Sequence, residues 1–424
     1  MKRLKKGFTI VELVIVIAVI AILASVLIPV FSNIVDKAKV NADTQVVRNM
    51  NTALATDEAI NGKAEDFGEI VSILKEDGYI LANLNPTTKG WFYVWESNAN
   101  RILLVDNKYD VQFPKEFKDD NPSSTWYFAV NNQATADKVK ADNPSVNVKF
   151  SITNLSSLNS ALTSGGEKTI YIDENIVIDK NNTVAVNSAD AKITLNLGSA
   201  VVSGDNDDSL GIENIPFLLE QGELSIIGGK LSTTGNMLDA DGNLINTTIM
   251  ASGGKLSVED CEIKTTGSRI PVALDGTQAS FKNVKITASN NIIGAYNGTN
   301  VVVEDCEIEA EYLAFFSSNS GGTTSKITID GGNYHTTTSN LLGVHGGEIV
   351  VKDGEFACDN APKTFKFYNV EGSKIIIEGG TFNGVAFADL TATMLDGWVN
   401  KSDIGSSTIS ITFENNAWVI ALVK

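Results

Sequence analysis

Residues 8–31, FTIVELVIVIAVIAILASVLIPVF, form an apolar run broken by a single charge, Glu12. About 20 residues suffice to cross a bilayer as one helix, so the run is long enough. It is apolar on every face, which excludes a solvent-exposed coiled-coil seam. Past Pro29 the pattern changes to one stripe: Phe31, Ile34, Ala38, Ala42, Val46, Met50, Ala53 and Leu54 recur every three or four residues. That period predicts one long helix over residues 8–61, stopped by Gly62. Pro29 removes a backbone hydrogen bond and crowds the preceding turn, so a kink or a melted stretch is expected there.

A second, shorter helix is expected next. Asp66 and Glu69 have capping-box spacing, Phe67, Ile70, Val71 and Leu74 share a face, and Gly78 ends the run. WFYVWESNANRILLVDNKYDVQF then predicts two strands around Asn98-Ala99-Asn100. Its aromatic cluster (Trp91, Phe92, Tyr93, Trp95) alternates as sheet core does, which favours core over a binding platform. Between Pro114 and Pro144 the pattern weakens, and Asp119-Asp120-Asn121-Pro122 marks a loop. A domain boundary is placed near residue 150. NLSSLNSALTSGG (154–166) follows as a short helix with Leu155, Leu158 and Leu162 on one side.

The second half repeats. LSIIGGKL from Leu224, LSVEDCEI from Leu256, ASFKNVKI from Ala279, VVVEDCEI from Val301, ITIDGGNY from Ile327, IVVKDGEF from Ile349 and IIIEGGTF from Ile375 are one pattern, with starts 22–26 residues apart after Leu256. Such a period indicates a solenoid or a propeller, and units this short cannot supply four propeller strands. A parallel β-helix with one coil per repeat is therefore predicted. Ile263, Ile286, Ile308, Tyr334, Phe356 and Phe382 should form one inward ladder. Gly229, Cys261, Cys306, Gly332, Gly354 and Gly380 should mark tight turns. Solenoid ends need capping. The 154–166 helix serves one end, and a C-terminal hairpin turning at Asn415-Asn416 serves the other. With its leading cap helix, this half resembles pectate-lyase-like right-handed parallel β-helices, a likeness of fold that implies no function by itself.

Charge narrows the function. The chain of 424 residues carries a formal charge of −18, and four of its cations (Lys2, Arg3, Lys5, Lys6) precede the apolar run. A surface this acidic repels nucleic-acid phosphates, so no nucleic-acid partner is expected. Three cysteines (Cys261, Cys306, Cys358) make no disulfide framework and no metal spacing, and are read as buried small apolar residues.

The leader cations place the start of the helix on the cytoplasmic side. A secretory signal would have a shorter core followed by a small-residue cleavage site, and a plain anchor leaves Glu12 unexplained. The string KKG-FTIVELVIVIAVIAILA, with Gly7, Phe8, Thr9, Glu12 and Leu13, resembles the processing and methylation signature of the type IV pilin and pseudopilin family over about residues 1–35. The resemblance implies cleavage between Gly7 and Phe8 by a prepilin peptidase and N-methylation of Phe8. It also implies that Glu12 neutralises the N-terminal amine of a neighbouring subunit, and that Pro29 falls where pilin helices loosen in filaments. The helix-then-hairpin order after residue 62 looks like a small pilin head, most like those of Gram-positive bacteria.

The expected organisation is a leader at 1–7, a long helix at 8–62 with 8–31 in membrane or filament core, an α+β head at 63–150, and an all-β parallel β-helix at 151–424. Expected partners are other pilin subunits, the prepilin peptidase, the pilus assembly machinery and the membrane, with a surface glycan as candidate ligand. The subunit would sit in the cytoplasmic membrane before assembly and in an extracellular pilus afterwards. No enzyme, cofactor or metal site is expected. Arg269 is the one arginine of the second half, Glu259-Asp260 and Glu304-Asp305 sit at turns, and His335 and His345 lack a carboxylate partner at ligand spacing. Asp205-Asn206-Asp207-Asp208 and the Asp239–Asn243 loop are the two acidic loops with calcium-binding composition. The second has Leu244 where an EF-hand loop needs glycine, so an Asp-Gly turn explains it more simply. An adhesive or minor pilin is thus expected. The alternatives are a minor pseudopilin of a secretion or competence system, or a surface-tethered polysaccharide-active enzyme.

Overall fold

A computed structural model describes residues 10–79, 86–152, 154–172, 175–178, 184–205, 217–234, 247–266, 270–289, 292–319, 321–338, 340–360 and 363–424. The chain forms two compact units, one of residues up to Ala129 with Asn143–Asn147, the other of Val130–Asp142 with Val148–Lys424.

In the first unit, α1 spans Ile10–Asn61 and runs through Pro29 without a break. The expected melted stretch is absent, because a proline costs one interior hydrogen bond while the turns on either side keep theirs. Gly62 closes the helix with φ +97°, its amide donating to the Glu58 carbonyl at 3.1 Å. The buried stripe of the second half of α1 is Asp43, Val47, Met50, Ala53 and Leu54. Ala42 is exposed and Val46 only half-buried, so the face is turned from the expected one. A polar residue, Asp43, occupies a position that periodicity reserves for apolar side chains.

α2 (Phe67–Glu76) is capped as expected: the Asp66 carboxylate accepts from the Glu69 amide at 2.9 Å. The Glu69 carboxylate reaches back to the amide of Glu65 at 2.6 Å. β1 (Phe92–Glu96) and β2 (Arg101–Val105) form the expected hairpin, and Tyr93 and Trp95 lie in the core. Two further strands complete an antiparallel sheet in the order β3-β2-β1-β4. These are β3 (Val111–Phe113) and β4 (Trp126–Val130). The weakly patterned stretch thus contains β4 and a helix, α3 (Gln133–Asp142). Short strands between polar loops leave too few alternations for periodicity to register. Asn51 of α1 clips the sheet: its amide donates to the Ile102 carbonyl at 2.9 Å and its carbonyl accepts from the Ile102 amide at 2.7 Å.

The second unit is a parallel β-solenoid of about seven coils. Each full coil has three strands, as in Lys255–Glu259, Glu262–Thr265 and Val272–Asp275, and corresponding strands pair in register from coil to coil. The solenoid therefore has three faces, numbered in that order. The expected ladder is present in every step: Ile263 pairs with Ile286, then Ile308, Tyr334, Phe356 and Phe382, all buried. Its aromatic end is stacked, with Phe356 and Phe382 4.6 Å apart at 8°.

The turns are finer than expected. Where the small slot holds cysteine, the left-handed residue is the one before it, Asp260 (φ +53°) or Asp305 (φ +50°). Aspartate tolerates that region, so the cysteine can face inward as core. All three cysteines are buried thiols outside any disulfide.

α4 (Leu155–Thr163) covers the N-terminal end and packs on Ile176–Ile178 and Val184–Val186. Lys168 supports it by donating to the Ser164 carbonyl at 2.7 Å and the Ala161 carbonyl at 3.1 Å, where a helix end favours a cation. At the far end, Ala417–Val423 pairs antiparallel with Lys374–Ile377 and with Thr408–Glu414, turning at Asn415 and Asn416, both left-handed. Antiparallel pairing ends the parallel stack, because a further coil can no longer be added in register.

Candidate functional site

The assembly residues read from the sequence fall on one helix. Gly7 and Phe8 lie outside the described residues. Glu12 occupies the first turn of α1 and Pro29 its interior. The apolar side chains around them are exposed: Ile10 is 80% accessible, Ile22 66% and Phe31 61%. A row of large aliphatic side chains along a whole helix is not stable in water and needs lipid or other helices around it.

The calcium candidates fall mostly outside the described residues: Asn206–Asp208 and Asp239–Asn243 are not covered, nor is Arg269. Among the described residues no cluster of three or more His, Cys, Asp or Glu could hold a metal ion. His335 has a carboxylate partner outside ligand spacing along the chain. Its Nε2 lies 3.0 Å from Asp359 Oδ1, one coil on, a separation of 24 residues that a search at ligand spacing does not see. His345 lies 3.4 Å from the Ser318 hydroxyl through Nδ1.

The outer faces of the solenoid carry the remaining chemistry. On the first face, Glu167, Lys192, Glu223, Lys255, Gln278 and Asn300 stand in one row across successive coils. A shallow groove of about 770 Å³ runs along it. Further along, Glu348 sits between Lys326 (2.9 Å) and Lys374 (3.5 Å). Burial works to raise the Glu348 carboxyl, but the two ammonium groups outweigh it and hold it below the usual range. On the second face, Lys230 pairs with Glu262 and Lys285 with Glu307, each at 2.6 Å. The charged neighbours in these rows, such as Glu223 and Lys255 at 3.1 Å, form cross-strand ion pairs that set register and contribute little individually.

The third face differs. Its outward positions bring together Tyr296, Phe316 and His345 from three successive strands and Tyr368, the residue just after the fourth, Phe365–Phe367. Ring centroids are 5.8 Å apart for Tyr296–Phe316 and 5.7 Å for both Phe316–Tyr368 and His345–Tyr368. Lys366 Nζ lies 4.6 Å from the Tyr368 centroid and 3.2 Å from Asp403. The repeat pattern in the sequence ends before this third strand, so reasoning from repeats missed the cluster. The signal was the outward alternation in IGAY, FFSS and LGVH.

Known proteins agree with the N-terminal part. Residues 2–28 match the family described as prokaryotic N-terminal methylation motif. Type IV major fimbrial protein FimA of Dichelobacter nodosus is 41% identical over 66 residues, which is 16% of this chain and 41% of the relative. Another protein of that name and organism is 43% identical over 56 residues, 13% of this chain and 36% of its own. The chain thus spans about two fifths of the length of these curated relatives. No solved structure matches the chain significantly.

Residues 2–28 thus carry a prepilin-type methylation motif similar to that of type IV fimbrial proteins, at the head of an exposed apolar helix that precedes a β-solenoid.

Proposed function

We propose that this chain is a minor, adhesive subunit of a type IV pilus-like filament, and that its β-solenoid is the part that meets the outside surface. The observation that carries this reading is the exposed apolar segment of α1 with one carboxylate, Glu12, in its first turn. Cleavage by a prepilin peptidase between Gly7 and Phe8 frees an amine one helical turn before Glu12. In the filament core that amine, on a neighbouring subunit, pairs with the Glu12 carboxylate. Before assembly the segment spans the cytoplasmic membrane, and the assembly machinery then extracts it into the filament. Pro29 gives the helix a point at which it can loosen during that transfer. On this reading the solenoid binds and does not cleave, with a glycan as its ligand class.

Removing one member of a desolvated ion pair costs about 3–5 kcal/mol. Glu12→Ala should therefore abolish incorporation into filaments while leaving the membrane-inserted precursor at normal abundance. Immunoblots of sheared filament and membrane fractions measure this. Undiminished Glu12→Ala subunit in the filament fraction would refute the assembly role.

A further inference from the structure

Gly294 and Gly343 sit in outward-facing positions of strands Ile293–Tyr296 and Leu342–His345, yet both are buried. Neither has a left-handed backbone, so turn geometry does not require them. Space does. A Cβ at residue 294 would lie 2.8 Å from the Tyr296 ring, and one at 343 would lie 2.7 Å from Leu313 and 3.4 Å from the Phe316 ring. Glycine inside a strand weakens it and marks a place where something approaches closely. Here the glycines let half-buried aromatic rings lie down on the sheet instead of standing off it. Phe316 is the centre, touching Tyr296 on one side and Tyr368, two coils on, across Gly343.

We propose that this aromatic patch on the third face is a binding site for a neutral oligosaccharide. The proposal rests on the adhesive reading above and gives it a location. Aromatic faces attract the weakly positive C–H groups on the flat side of a hexose ring through the ring quadrupole. The polar groups beside the patch, Lys366 and Asp403, suit the hydroxyls at the edge of such a ring. Strand addition by a peptide is excluded along this stretch, since the four strands are already paired through their backbones. Neutrality follows from charge: the chain carries −18, and Lys366 is already paired with Asp403. Four coils at ~4.8 Å spacing give a patch about 14 Å long, which suits a short run of sugar units.

The test uses the full-length chain in a zwitterionic detergent without a sugar headgroup. It is titrated calorimetrically with maltohexaose, cellohexaose and mannohexaose, and with hexagalacturonate as the anionic comparison. At least one neutral hexasaccharide should bind, and bind more tightly than hexagalacturonate. Phe316→Leu keeps apolar volume but removes the ring, and Tyr296→Ala removes a half-exposed one. Each should weaken binding roughly 3- to 10-fold, with an unchanged thermal melt. Val302→Ala, on the first face, should leave binding unchanged. Absence of neutral-sugar binding, preference for hexagalacturonate, or undiminished binding by both aromatic variants would overturn the site. Adhesion of intact filaments separates the two claims. If wild-type and Phe316→Leu filaments adhere equally, the patch is wrong and the adhesive reading stands. If wild-type filaments adhere to nothing while the hexasaccharide still binds at Phe316, the adhesive reading falls and the patch stands.

Discussion

Asp43 offers the sharpest test of how the first unit is held together. It lies on α1, is 1% exposed, and faces the segment that leads into β1. Its Oδ1 accepts from the Thr87 amide (2.7 Å), the Thr87 hydroxyl (2.8 Å) and the Tyr93 hydroxyl (3.3 Å). Its Oδ2 accepts from the Thr88 amide (2.9 Å) and the Thr88 hydroxyl (2.6 Å). Burial alone would raise this carboxyl, but the hydroxyls and amides of Thr88 and Thr87 outweigh it and hold it below the usual range. Burial, helped by this carboxylate, pushes the Tyr93 phenol above its usual range.

Asp43→Ala leaves the amides of exposed Thr87 and half-buried Thr88 without this partner, while the hydroxyls can turn elsewhere. At about 1–3 kcal/mol for a stranded buried donor, and less where water reaches the amide of exposed Thr87, the loss is roughly 1–3 kcal/mol. Asp43→Asn should cost a similar amount, because one end of an amide is itself a donor and would face donors. Hydrogen exchange of the Thr87 and Thr88 amides in the full-length chain reads the effect locally, which matters because a two-unit chain does not unfold in one step. Exchange there should accelerate about 10-fold or more, while the Val94 amide in β1 stays within a few-fold. The same carboxylate contributes stability above its unfolded pKa of about 3.9, and that contribution disappears as pH falls through the lowered folded value. Retained protection of both amides in Asp43→Asn would refute the account.

Three further outcomes are expected. Phe356→Ala removes the middle ring of the stack between Tyr334 (5.0 Å) and Phe382 (4.6 Å). It should cost about 3–5 kcal/mol in denaturant unfolding of the solenoid followed by circular dichroism, and a loss below about 1 kcal/mol would contradict the ladder. Glu348→Gln should destabilise by no more than about 1 kcal/mol at about pH 7. The difference should vanish at about pH 2, since a carboxyl with a depressed folded pKa stabilises only above that pKa. The cysteines should resist iodoacetamide in the folded chain at about pH 8. Burial pushes the Cys261 thiol up to about 12 and Cys306 to about 11, so rapid alkylation without unfolding would show that these thiols are accessible.

Much of this molecule is local in origin and therefore legible. Gly62, the Asp66 cap, the Asn415-Asn416 turn and the apolar run of α1 each depend on residues within a few positions of one another. The ladder from Ile263 to Phe382 was legible for another reason. In a parallel solenoid one repeat predicts the register of the next, so long-range contacts are written as a period. Neither argument reaches the weakly patterned stretch, where β4 and α3 emerge only through packing.

What the sequence determined alone was the prepilin-type start, the helix and its stop, the repeat, and the identity of its inward residues. Tertiary structure decided which side of α1 is buried, because Asp43 is admitted only where Thr87, Thr88 and Tyr93 converge on it. It also decided the His335–Asp359 pair and the aromatic patch, since those residues lie a coil or more apart along the chain. Their proximity depends on the rise of one coil, a distance set by backbone pairing and not by any spacing along the chain.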